Sequence, residues 1–579
     1  MSEMGVEGIA EEFEDAATLF WGSAMLPPSG VEVADIDKRM RCRSGPGQYH
    51  AWVHALDDGR ADLRRERAEI GLEGLARRRA REQQSSSVAI LSGKDQLVTV
   101  HEPGGFTGDV DLLSGRQVVV RARAKGPTRV LELPSARVRA IVQTDAELSE
   151  ILLCAFILRR LALVERGHGN VVLIGSRHSA GTLAIQEFLT RNSQPYAYLD
   201  VDRDLDVQAT LDGFGVGVGD VPVVICRGER VLKKPAIEDV AECLGLNRLN
   251  EEVLRDLVVI GGGPAGLAAA VYAASEGLDV LVVESNAPGG QAGSSSRIEN
   301  YLGFPTGISG QLLASRALVQ AEKFGAEFAV ARTAVRLSCE GCPYRIDFGA
   351  GVGVQARTVV IATGVRYRKP ALPDLARFEG VGVYYGATQV EASLCRGEEV
   401  IVVGGGNSAG QAAVFLANRG SRVNMLVRRA GLAESMSRYL VRRIEETSNI
   451  TLRTRSELEA LEGERRLERV TWTDAARGTR TSAEIRHVFL MTGANPNTGW
   501  LKDSVALDDK AFVRTGPDMS AGDLAAARWP LARRPLLFET SRPGIFAVGD
   551  VRANSVKRVA AAVGEGSVCV QLVHKVLAE

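Results

Sequence analysis

Residues 256–285 read DLVVIGGGPAGLAAAVYAASEGLDVLVVES. A short apolar run leads into Gly261-x-Gly263-x-x-Gly266, an Ala-rich stretch follows, and a second apolar run ends at Glu284. The pattern predicts a buried strand (257–260), a glycine turn, a helix and a second strand. Gly261 permits the tight turn, Gly263 lets a pyrophosphate approach the backbone, and Gly266 lets helix and strand pack closely. Pro264 and Ala265 stand where the helix N-terminus faces the phosphates. Glu284 is positioned to accept hydrogen bonds from a ribose diol. The plain alternative is a glycine-rich turn with no ligand, but strand, motif, helix, strand and acid in order make a dinucleotide-binding unit.

The grammar recurs in EVIVVGGGNSAGQAAVFLANRGSRVNMLVRR (399–429), with Gly404, Gly406, Asn407, Ser408 and Ala409 at the turn. Here the second strand ends in Arg428-Arg429 and not in an acid. A guanidinium fork suits a 2′-phosphate, so this unit favours NADPH over NADH, with Arg438 as a further candidate. The other reading of the arginines is a solvated basic helix start. One unit for FAD and one for a nicotinamide is the arrangement of a two-dinucleotide flavoprotein. Three stretches extend it: ATG (362–364) with Thr363 and Gly364, TGANPNT (492–498) with Gly493 on the nicotinamide side, and GIFAVGD (544–550) with Gly549 and Asp550. The Asp550 carboxylate is expected to bind the flavin ribityl chain. KRVAAAVGEG (557–566) starts a helix whose first amides, near Arg558 and Val559, face the flavin O2 edge.

The totals agree with a soluble multidomain enzyme. The chain has 579 residues, 45% apolar and 24% charged, with a formal net charge of −1, so several domains are expected and no footprint for nucleic acid or anionic membrane exists. The acidic N-terminus lacks a signal-peptide pattern and no run is long enough to span a bilayer. Eight cysteines in so long a chain make no disulfide framework, and a cytoplasmic location is expected. No His/Cys cluster has metal-ligand spacing, so no metal is assigned.

From Asp256 to the C-terminus the chain resembles the low-molecular-weight thioredoxin reductases. GGQAGSSSRIENYLGFP (289–305) is similar to that family's flavin-wrapping signature. The resemblance implies an FAD domain in two pieces (251–368 and 499–579), an inserted NADPH domain (369–498), a homodimer, and rotation of one domain against the other. It also implies flavin contacts from Gly290, Gln291 and Asn300. The family's Cys-x-x-Cys stands just ahead of the NADPH fingerprint. In GVGVYYGATQVEASLCRGEEVIVVGGGN (380–407) those positions fall on Gly386/Gln389 or Ala387/Val390.

The remaining thiol candidates are Cys395, beside Arg396, and Cys339/Cys342 in LSCEGCPYRI (337–346), the one Cys-x-x-Cys in the chain. Alternation on both sides makes the latter a hairpin turn of a β-meander rather than the start of a helix, which a reactive dithiol usually occupies.

Ahead of the flavoprotein, residues 1–87 read as a lead-in, partly flexible or helical. GGFTGDVDLLSGRQVVVRARA (104–124) resembles the phosphate cassette of cyclic-nucleotide-binding domains, with Gly108, Asp109 and Arg116 matching, inside a partial β-roll with a following helix (88–166). Either a nucleotide site or a degenerate roll used for packing fits. Residues 167–250 resemble a glutaredoxin or thioredoxin domain, with Pro222 a cis candidate. It is read as a unit without cysteines, because Ser176-Arg177-His178-Ser179 stands where its dithiol would begin the first helix.

The fold class expected is α/β, with two Rossmann-like domains preceded by the partial roll and the thioredoxin-like module. The expected activity is an NADPH-dependent FAD oxidoreductase that passes electrons directly to a small-molecule or redox-protein acceptor. The alternatives are a thioredoxin-disulfide reductase using the other cysteines, and a cyclic-nucleotide-responsive redox sensor.

Overall fold

A computed structural model of the protein describes residues 87–92, 96–101, 106–108, 110–114, 116, 119–125, 133–167, 169–204, 216–226, 230–339 and 341–579. The lead-in expected over 1–87, Ser87 apart, lies outside these residues, as does Asp109.

The first fingerprint sits at the centre of the largest sheet. Strand Leu254–Ile260 is flanked by Val280–Glu284 and then Glu327–Val330 on one side, and by Gly353–Ile361 on the other, all parallel. The long strand Gly353–Ile361 then divides its free edge. Residues 353–356 pair antiparallel with Tyr344–Asp347, while residues 359–361 pair parallel with Ile545–Ala547. The C-terminal segment is thereby stitched into the sheet begun some 290 residues earlier, as about 3.3 Å per residue of strand allows only through long-range pairing. Leu257 and Val259 belong to one core and Val258 and Ile260 to the other. Period-2 geometry thus explains why the strand has no polar face.

The second fingerprint lies in an inserted five-stranded parallel sheet, ordered Val383–Tyr384, His487–Leu490, Glu399–Val403, Arg422–Val427, Ile450–Thr454. A three-stranded antiparallel meander, Ser456–Glu462, Arg469–Asp474 and Thr479–Ala483, completes it. The chain enters and leaves this insertion through a two-stranded neck in which Val365–Tyr367 pairs antiparallel with Ala494–Pro496.

Ahead of both is a four-stranded sheet ordered Ala197–Asp200, Val171–Gly175, Val223–Cys226, Arg230–Lys233. The first pair is parallel and the other two are antiparallel. Helices Ala180–Arg191 and Ile237–Leu244 pack on it. Pro222, just ahead of Val223, follows a cis peptide bond. The unit is not free of cysteine: Cys226 and Cys243 belong to its core, and the serines of 176–179 replace only the expected dithiol.

Residues 87–125 contribute a three-stranded antiparallel sheet, Gln96–His101, Ser87–Ser92, Arg121–Lys125. Helices Ser135–Thr144 and Ala146–Glu165 follow, the first preceded by Leu133 and Pro134. This helical pair docks on helix Gly310–Phe324 of the first fingerprint's unit. Gln143 donates to the Lys323 carbonyl at 2.8 Å, and Lys323 donates to Ser149 Oγ at 3.0 Å.

Candidate active site

The backbone of the first fingerprint is built by close approach. Gly261 has φ +106°, and a Cβ there would stand 2.4 Å from the Ala362 carbonyl oxygen. A Cβ on Gly266 would stand 1.9 Å from the Gly261 carbonyl oxygen, which is the helix–strand contact expected of that position. Gly263, by contrast, meets only Gly290 Cα at 3.9 Å and faces open space. The Glu284 carboxylate accepts from Gly262 N at 2.7 Å and Asn286 N at 2.9 Å. It holds the turn while leaving acceptor capacity on oxygens that can take four hydrogen bonds.

That open space belongs to a cavity of about 980 Å³. Gly261, Gly263, Pro264, Ala265 and Glu284 line it from the first unit, with Gly290, Gln291 and Asn300 from the loop behind. Thr363, Gly364, Gly549, Asp550, Arg558 and Val559 close the opposite side. Every expected flavin residue except Gly266 therefore meets in one place, and Gly266 acts underneath it. Gln291 Nε2 donates to the Val365 carbonyl at 2.5 Å. Thr363 and Asn497 exchange side-chain-to-carbonyl hydrogen bonds at 2.9 Å each, tying ATG to TGANPNT.

At the Asp550 end, Gly549 turns with φ +73° and its amide donates to Glu565 at 2.7 Å. Burial pushes the Asp550 carboxyl above the usual range, opposed by the Lys557 ammonium. Burial likewise pulls Lys557 down; its Nζ donates to the Asp550 carbonyl at 2.6 Å. Helix Val559–Leu577 starts here, so its free amides and positive dipole end meet the cavity at Val559.

From the second fingerprint's unit Asn407, Ser408 and Gln411, in the first turns of helix Asn407–Asn418, reach the same cavity. Gly404, Gly406, Ala409, Arg428, Arg429, Arg438 and Gly493 are not part of its lining. Gly404 has φ +147°, and a Cβ there would press within 2.5 Å of the Met491 carbonyl oxygen. Arg428 is 82% exposed, with Glu457 at 3.9 Å, and Arg429 pairs with Glu434 at 3.0 Å. Arg438 is exposed at the start of helix Arg438–Glu446.

No cysteine among the described residues lines the cavity. Cys395 is fully buried in the inserted unit's core, its thiol directed at the Glu391 carbonyl at 3.3 Å, and burial pushes it up to about 11. Such a thiol is not ionised at neutral pH, which corrects its candidacy. Cys339 and Cys342 occupy the turn between antiparallel strands Arg336–Ser338 and Tyr344–Asp347. Burial also pushes the Cys339 thiol up to about 11, the opposite of activation. The described residues contain no metal-binding cluster.

Of the cyclic-nucleotide candidates, Gly108 and Arg116 are among the described residues and Asp109 is not. Arg116 lies 3.3 Å from the buried Glu322 carboxylate, with 14% of its side chain exposed. A carboxylate thus occupies the place an anionic ligand needs. Gly108 is a packing glycine: a Cβ there would lie 2.3 Å from Leu112 Cδ1.

Sequence reasoning missed the other cavity residues. Tyr367, Tyr384 and Glu391 come from the neck and the inserted unit, and Ala180, Leu183, Ala184, Glu187 and Arg191 from the 171–246 unit. The last five recur at i, i+3, i+4, i+7, i+11, a second face on a helix whose core face is Thr182, Ile185, Phe188 and Leu189. That doubled periodicity was the available signal.

Residues 255–566 match the family model described as pyridine nucleotide-disulphide oxidoreductase. A thioredoxin reductase of Bacillus subtilis is 30% identical over 332 residues, 57% of this chain and 97% of that protein. One of Treponema pallidum is 33% identical over 312 residues, 54% of this chain and 94% of that protein. Among solved structures, Lactococcus lactis thioredoxin reductase in the FR conformation aligns with a TM-score of 0.50 and 27% identity, covering 56% of this chain and 99% of its own. Among the described residues no helix is long and apolar enough to cross a membrane. Carrying both fingerprints within the matched region, the chain belongs to the pyridine nucleotide-disulphide oxidoreductase family and is an FAD-dependent pyridine nucleotide oxidoreductase.

Proposed function

We propose that the protein takes reducing equivalents from NADPH and delivers them from reduced FAD directly to an acceptor, without a protein dithiol. The observation that carries this reading is the cavity itself: it joins the first fingerprint, the Asp550 turn and the start of the second fingerprint's helix, and its lining has no thiol.

The residues present fit FAD. Gly263 and Gly290 leave the space a pyrophosphate needs, Glu284 retains acceptor capacity for a ribose diol, and Asp550 with the start of helix Val559–Leu577 suits a ribityl chain and a flavin edge. Bound FAD would supply two-electron chemistry between nicotinamide and acceptor. Asn407 and Ser408 would guide the nicotinamide end toward it; Arg428, exposed and only loosely paired, and Arg429, exposed and able to exchange Glu434 for another anion, would turn to a 2′-phosphate. The reading includes residues 251–368 with 499–579 as the FAD domain and 369–498 as the NADPH domain. It also includes a homodimer in the cytoplasm, and residues 167–250 as a thioredoxin-fold module, for which the strand order and the cis Pro222 speak.

Anaerobic stopped-flow mixing with NADPH or NADH tests it. Bleaching of the flavin band by NADPH well ahead of NADH is expected, in wild type and in a variant with Cys339, Cys342 and Cys395 replaced. Loss of reoxidation by every acceptor in that variant would return the activity to a thiol.

A further inference from the structure

Helix Ala180–Arg191 belongs to the 171–246 unit, yet one face of it lines the cavity shared by the two dinucleotide units. Its first residue touches the inserted unit: a Cβ on Gly380 would lie 2.9 Å from Ala180 Cβ. Its last residue is fixed to the flavin side, with Arg191 Nη2 donating to the Gly290 carbonyl at 2.8 Å. Gln311 Nε2 caps the Arg191 carbonyl at 3.0 Å, and Asn192 Nδ2 reaches the Asn286 carbonyl at 3.2 Å. The helix therefore spans the cavity from one unit to the other.

What it presents there is chemically plain. Leu183 and Ala184 give apolar surface; burial raises the Glu391 carboxyl of the inserted unit and the nearby Glu187 charge adds to it, so two interacting carboxyls line the same cavity. Tyr384, Tyr385 and Trp500 add aromatic surface to the lining. A cavity of about 980 Å³ is at the upper end of the roughly 300–1,000 Å³ found for small-molecule sites. The unit that carries this helix has serines at 176 and 179 and no dithiol there with which to relay electrons.

Building on the function proposed above, we infer that this unit occupies in cis the face a protein partner would use, and that helix Ala180–Arg191 is the wall of a site for a small, flat, uncharged acceptor of the quinone class. NADPH gives up a hydride and solvent supplies one proton, so the quinone leaves as its hydroquinone and the nicotinamide as NADP⁺. Leu183 and Ala184 offer the ring an apolar bed, and the carboxylates disfavour anionic acceptors.

The full chain, loaded with FAD, is reduced anaerobically by NADPH, and in a parallel arm by dithionite. It is then mixed with a water-soluble benzoquinone, ferric cytochrome c or an oxidised thioredoxin. Reoxidation by the quinone and its loss with both proteins is expected. Ala180→Trp wedges the helix from Gly380, and Arg191→Ala removes the other anchor. Both are expected to raise iodide quenching of flavin fluorescence and to admit the protein acceptors. Wild type reoxidised by either protein as fast as by the quinone overturns the inference, as does iodide quenching that neither variant changes. Failure of NADPH alone to reduce the flavin would count against the function proposed above, while the dithionite arm still reads acceptor choice.

Discussion

A methyl group on Gly266 would collide with the Gly261 carbonyl at 1.9 Å, a backbone contact that cannot rotate away. Gly266→Ala is expected to cost about 1–3 kcal/mol, the usual range for overpacking, and to lower flavin content; thermal unfolding and absorbance of the purified protein check both. The equivalent residue of the second fingerprint is Ala409, so Ala409→Gly leaves flavin content intact. At the strand end, Arg428→Ala with Arg429→Ala removes charge-assisted bonds of about 1.5–3 kcal/mol to a phosphate. NADPH affinity should fall by roughly 10–100-fold with NADH little changed, and equal loss for both would refute the 2′-phosphate assignment. Asp550 adds a pH dependence. Burial raises its folded carboxyl above the unfolded value, so its contribution to apoprotein stability is full below the unfolded pKa and is lost as pH rises through the folded one. Asp550→Asn should flatten that limb of a melting-temperature profile. These residues were legible because each acts within a turn or at a strand end, where a few neighbouring letters determine the backbone. Glu187, Tyr384 and Glu391 were not, because two separate units bring them to the cavity and none carries a local mark of it.

Elements were easier to foresee than their second faces. The strand, turn and helix of both fingerprints, the hairpin around Cys339 and Cys342, and the helix after Asp145 all follow from period and punctuation. Helix Ala180–Arg191 was predictable as a helix, but one period was read where it carries two. Its inner face satisfies the module, and nothing in a single segment tells what an outer face will meet. The hairpin leads to a simple expectation: Cys339→Ser with Cys342→Ser leaves the rate of flavin reduction by NADPH unchanged in stopped flow. The pair sits in a surface turn outside the cavity lining. A fall in that rate would reopen the dithiol reading.

At the scale of the whole molecule, the front of the chain meets the flavin unit at a buried ion pair. Arg116 and Glu322 meet with 14% and 3% of their side chains exposed. Removing one partner leaves a carboxylate with weaker compensation, which destabilises more than the pair itself stabilises. Arg116→Ala should therefore lower the melting temperature, while titration of wild type with cyclic AMP or cyclic GMP yields no heat. Binding heat abolished by the same substitution would reverse this. The motif around Gly108 was readable as a resemblance, but its partner Glu322 lies some 200 residues further on.

The two strands of the neck have one more implication. Val365 is paired opposite Pro496 and Tyr367 opposite Ala494, so the 120-odd residues between them depart and return at neighbouring points. For the flavin sheet, the whole insertion counts as a loop whose ends are already closed, and its length adds little entropic cost. The inserted unit is thus a cassette: exchanging residues 368–493 for a counterpart with an acidic strand end is expected to change the electron donor and this unit's share of the cavity lining, while the flavin sheet and helix Ala180–Arg191 keep theirs.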